Sequence, residues 1–183
     1  LLRLDTGATD QHSGVTGGMI AAGTLATALW LQNDSLPRRQ LQDVRTALAF
    51  LAAREGLDAS RVALWGEALD EPNAAPGAEL LFEDTGFRAC DPVPRRAAEP
   101  LGGWLALAAA LHEIKDGAGQ ARRVKAVLVR GTLSAFVSAL ERRHEYLPLD
   151  AIVPGLLRVA DTSDVAAALK ADGVTVLAED LRD

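Results

Sequence analysis

Cysteine is nearly absent. Cys90 is the only one in 183 residues, which excludes an internal disulfide and a cysteine-built metal centre. Histidine is scarce as well, with His12, His112 and His144 alone. Cations are outnumbered: 19 Lys and Arg face 25 Asp and Glu, a net charge of −6. An acidic chain with no basic tail is a poor general nucleic-acid binder, because phosphate contacts need clustered cations. The arginine pairs at 38–39, 95–96, 122–123 and 142–143 are scattered and offset by acids, so they read as solvated surface. Long apolar runs are missing too. The longest, from about Gly17 to Leu31, is diluted by Gly18, Gly23, Thr24 and Thr27. It falls short of the roughly 20 residues needed to span a bilayer and reads as a buried helix. No charged start precedes an apolar run at the N-terminus, so no secretory signal is read, and the compartment stays open.

What is present is ordinary for a globular chain: 49% hydrophobic and 24% charged residues, which exclude collagen, low-complexity disorder and coiled coil. The length suggests one domain over 1–183. Leu1 to Asp5 reads as a short strand entering a loop. Met19 to Leu31 reads as helix, and Pro37 opens another with Leu41, Val44, Leu48 and Leu51 as an apolar stripe of helical period and Gly56 as its C-cap. Arg61 to Trp65 is a nearly continuous apolar run, as expected of a strand buried on both faces. Residues 70–99 are crowded with Pro72, Pro76, Pro92 and Pro94 and read as an irregular surface excursion. Helix is expected from Leu101 to Ile114, strand from Val124 to Val129 and helix from Leu133 to Arg143. A last helix runs from Thr162 to Ala171, capped by Thr162 or Ser163 and ended by Gly173. Val174 to Ala178 is the final strand. Apolar strands alternating with helices predict an α/β fold, a mostly parallel sheet flanked by helices on both faces. The three tryptophans, Trp30, Trp65 and Trp104, are expected in core or pocket walls.

In such sheets ligands bind at the carboxyl ends of the strands. After Arg61 to Trp65 comes Gly66-Glu67-Ala68-Leu69-Asp70. A buried strand followed by a tight turn is where serine hydrolases of this architecture carry Gly-x-Ser-x-Gly, since the turn lifts the serine oxygen clear of the sheet. Gly66 fits the first glycine, Ala68 stands at the serine position and Asp70 at the second glycine.

Together with this turn, Leu57 to Gly66, the Leu4-Asp5-Thr6-Gly7-Ala8-Thr9-Asp10 segment, Asp43 to Leu48, and Val124 to Pro154 with Arg130-Gly131 resemble the α/β-hydrolase superfamily. Within it they are similar to bacterial acetyl xylan esterase and dienelactone hydrolase-like proteins. The resemblance implies a carboxylic-ester hydrolase lineage, with carbohydrate acetyl esters as substrate class and no cofactor. Gly66, Glu67 and Leu69 would frame the elbow and its oxyanion donors. Asp183 aligns with the acid of the triad, with Glu179 and Asp180 as rivals. The family has strands before the point corresponding to Leu1 and its histidine beyond that of Asp183, so the chain is expected to be a fragment of a longer domain with an incomplete core. With alanine at 68 and no histidine in the late position, it is expected to be inactive as written. The alternative is a non-catalytic ligand- or partner-binding module on the same fold. Unpaired sheet edges are expected to promote self-association.

Other chemistry finds little support in the residues. His12, His112 and His144 lie outside the late position, although His12 follows a loop expected at the active edge. Ser60 precedes its strand and should sit at the wrong end of the sheet, and Ser134 and Ser138 read as helix-start and helix residues. Glu67 and Asp70 read as solvated turn residues. Cys90 has Arg88 nearby but no histidine and reads as an inert thiol. Asp5, Asp10 and His12 match no metal-ligand spacing. Thr6 to Asp10 keeps only Gly7 of a dinucleotide fingerprint, and Gly14 to Gly18 lacks the lysine of a phosphate loop.

Overall fold

The computed structural model describes residues 26–67, 101–116, 124–141, 151–179 and 181. The expected strand at Leu1, the excursion at 70–99, and Asp5, Asp10, His12, Ala68, Leu69, Asp70, Cys90, His144, Asp180 and Asp183 lie outside these residues.

Residues 26–31 are helical and lead into helix α1 (Leu36–Ala52). Ser35 holds the extended cap conformation, and its hydroxyl accepts the Arg38 N–H at 3.4 Å. Pro37 stands in the first turn, where its missing N–H has no partner to lose. Leu36, Pro37, Gln40 and Leu48 are buried, with Leu41, Val44 and Leu51 half-buried beside them, so the predicted stripe is the inner face. The helix ends at Ala52 with Ala53 as its cap. Gly56, the expected cap, belongs to the turn beyond. Asp58 tightens the approach to the first strand: its Oδ1 accepts the Ser60 N–H at 3.0 Å and the Ser60 hydroxyl at 2.6 Å.

Strand β1 (Val62–Glu67), helix α2 (Leu101–Asp116) and strand β2 (Val124–Arg130) follow. Helix α3 (Phe136–Glu141), a 3-10 turn (Leu156–Arg158), helix α4 (Thr162–Ala171) and strand β3 (Thr175–Glu179) complete the described elements. The three strands form a parallel sheet in the order β1-β2-β3, a coarse α/β architecture as expected. Helix α2 packs on β1 and β2 and touches α1 and α4, while α4 packs on β3. Leu107, Ala109 and Ala110 of α2 are fully buried, as are Val127 of β2 and Leu169 of α4. Trp104 meets Phe136 edge to face, with ring centroids 5.7 Å apart at 84°.

The strands are not buried on both faces among the described residues. Leu64 and Gly66 pair with Val127 and Val129, and these pair with Val176 and Ala178, on the face that α2 and α4 cover. The other face carries the row Trp65, Leu128 and Leu177, in which Trp65 is 58% and Leu177 56% exposed. Trp65 is therefore no core residue, whereas Trp104 is. The apolar run at 61–65 reflects strand propensity and alternates in burial.

Two helix ends differ from expectation for one reason. Asp161, not Thr162 or Ser163, caps α4 and forms a capping box with Asp164. Its buried carboxylate also accepts the Phe136 N–H at 2.7 Å and the Val137 N–H at 3.1 Å, so it caps α3 as well. Helix α3 consequently starts at Phe136 and not at Leu133. At the far end of α4 Gly173 has φ +78, and its N–H donates to Lys170 O at 2.9 Å, while the Val174 N–H reaches Leu169 O at 3.0 Å. That is the Schellman arrangement, and it stops the helix at the expected glycine.

Candidate functional site at the carboxyl edge of the sheet

All three strands end on the same side because the sheet is parallel. Their last residues, Glu67, Arg130 and Glu179, stand in one register row. Arg130 Nη1 lies 3.4 Å from Glu67 Oε1, with side chains 48% and 26% exposed. An ion pair so open to water contributes at most about 1 kcal/mol. Its consequence is positional: it holds the cation of the central strand against the carboxylate of β1, with Glu179 of β3 next in the same register row. The sheet bond pattern continues one residue further, as the Gly131 N–H donates to Glu179 O at 3.2 Å. Gly131 then turns the chain with φ +65.

Gly66 and Glu67 belong to the strand and not to a turn. A Cβ at Gly66 would overlap the carbonyl of Gly102, and one at Gly102 would overlap the carbonyl of Glu67. Gly103 meets Thr132 as closely, against its hydroxyl and Cβ. The strand end and the start of α2 therefore touch backbone to backbone, and the Thr132 side chain from the loop after β2 packs on Gly103. Gly102 and Gly103 permit this close approach of helix to sheet. The sequence signal for this contact is the Gly-Gly pair in the first turn of α2, ahead of a run of Trp, Leu and Ala.

The other predicted residues are placed as follows. Glu67 is half-buried and ion-paired, not a solvated turn residue. Glu179 stands in the edge row, on the strand that precedes Asp183. Ser60 lies before β1, at the opposite end of the sheet, and is engaged with Asp58. Ser138 donates its hydroxyl to Ala135 O at 2.7 Å inside α3. Ser134 follows the turn at Gly131, and the Thr132 side chain is buried. His112 is ten residues along α2 from Gly102, about 15 Å from the edge at the usual helical rise. Among the described residues, then, no histidine reaches this edge, and the serine nearest to it in sequence is Ser134, four residues beyond the end of β2. No group of three metal-ligating side chains occurs among them, and none of their helices is long and apolar enough to cross a membrane.

Comparison of the chain with protein-family models, curated proteins and solved structures returns no match.

Proposed function

We propose that this chain is an α/β domain of carboxylic-ester hydrolase lineage, with carbohydrate acetyl esters as ancestral substrates, that turns over no ester itself. What supports the reading is the close packing of the strand end at Gly66 and Glu67 on the helix start at Gly102, at the carboxyl edge of a parallel sheet. The residue that follows Glu67 is Ala68, which has no hydroxyl to attack a carbonyl. Acyl transfer needs a nucleophile, a base touching it and a group orienting the base. His112, the described histidine, is on the wrong part of α2 to serve as the base.

The test is hydrolysis of 4-nitrophenyl acetate by the purified chain and by Ala68→Ser. The expected result is release at the buffer rate for the parent. Saturable release by the parent that is lost in Glu67→Gln would overturn the proposal. Saturable ester binding without release by Ala68→Ser would favour a binding module on the same fold.

A further inference from the structure

A cavity of about 340 Å³ lies between α1, α2 and the segment that carries Val153 and Pro154. Trp30, Leu41, Trp104, Leu105, Ala108 and Val153 form its apolar wall. Asn33, Asp34 and Arg38 stand at its polar end. Trp30 contributes surface and no hydrogen bond, since its Nε1–H is buried without an acceptor and is closed to the cavity. The volume falls in the range of pockets that take small molecules.

The charges at the polar end are unequal. Asp34 is held by Arg39, Nε to Oδ2 at 3.0 Å, and its Oδ1 accepts the Ser35 N–H at 2.8 Å. Arg38 stands only at the edge of this group, 3.8 Å from Asp34 Oδ1, with its side chain 63% exposed. Among the described residues one carboxylate faces two guanidinium groups there, an excess of one positive charge. A guest with a carboxylate would meet that charge as well as fill the wall, which a neutral apolar guest would not.

We infer that this cavity binds a small carboxylate with a flat apolar body, its ring between Trp30 and Trp104 and its carboxylate against Arg38. The inference does not depend on the hydrolase lineage. It concerns the helical flank of the sheet, and it stands or falls separately from ester turnover.

The chain has three tryptophans, so a ¹⁵N-labelled sample gives three indole cross-peaks, assigned by single Trp→Phe variants. The probe is 2-naphthoate, with 2-naphthamide as its neutral counterpart. Saturable shifts of the Trp30 and Trp104 peaks with an unmoved Trp65 peak are expected, because Trp65 lies exposed on the far face of the sheet. Arg38→Gln, at an exposed position that leaves the fold intact, should weaken 2-naphthoate about tenfold, equivalent to 1.4 kcal/mol. The amide should bind the parent about tenfold more weakly than the acid. Ala108→Leu, which fills the wall, should abolish the shifts. Equal binding of acid and amide, equal binding by parent and Arg38→Gln, or parallel drift of all three peaks without saturation would overturn the inference.

Discussion

Asp161 closes the starts of two helices, and its removal has a calculable effect. It is 9% exposed. Its carboxylate accepts the N–H groups of Phe136 at 2.7 Å, Val137 at 3.1 Å and Thr162 at 2.7 Å, so one side chain closes the starts of two helices. In Asp161→Ala the Phe136 and Thr162 donors stay buried and lose their acceptor. Each such donor costs about 1–3 kcal/mol, whereas the less buried Val137 N–H can turn to water. The expected loss is therefore about 3 kcal/mol, a large part of the 5–15 kcal/mol typical of a whole domain. Asp161→Asn keeps one carbonyl oxygen and should lose about half as much. Asp164→Ala breaks only the return bond from the Asp161 N–H, 2.9 Å long, and should lose about 1 kcal/mol. Urea unfolding at pH 7, with equal slopes for all four proteins, measures these differences. A loss below about 1 kcal/mol for Asp161→Ala would refute the double-cap account, because the two buried donors would then have found other partners.

Two further predictions concern the edge and the polar end of the cavity. Gly102→Ala would ordinarily favour a helix by up to about 1 kcal/mol, but the added Cβ meets the Glu67 carbonyl, so a net loss of about 1–3 kcal/mol is expected in the same unfolding assay. The Asp34 carboxyl is held below the ordinary aspartate value of 3.8, first by the hydrogen bond from Arg39 and then by the Ser35 N–H. Its folded value lies under its unfolded one, so its contribution is complete above about pH 4 and is lost as pH falls through the folded value. Carboxyl NMR titration should place Asp34 below 3.8 in the parent and closer to 3.8 in Arg39→Gln.

Much of the described fold was legible in order and type. The strand at Val124 follows from a short, mostly apolar run, and the helix at Thr162 from its apolar spacing and closing glycine. These are local signals, since hydrophobic period and turn chemistry act over a few residues. The apolar run RVALW had the right type but the wrong burial, because composition does not say which sheet face a helix will cover. The candidate site was legible only up to Glu67. The arrangement there depends on Gly102 and Gly103, far along the chain, and no local pattern states which glycine meets which strand.

The amino-acid sequence by itself determined the alternation of strands and helices, the acidic balance, the single thiol and the alanine after Glu67. Each is a property of composition or of neighbours along the chain. Only the tertiary structure decided that Glu67, Arg130 and Glu179 form one row, that Asp161 serves two helices and that Trp30 and Trp104 share a cavity while Trp65 faces away. Those facts come from packing, in which volume, register and the pairing of buried N–H groups bring together residues that are distant in the chain.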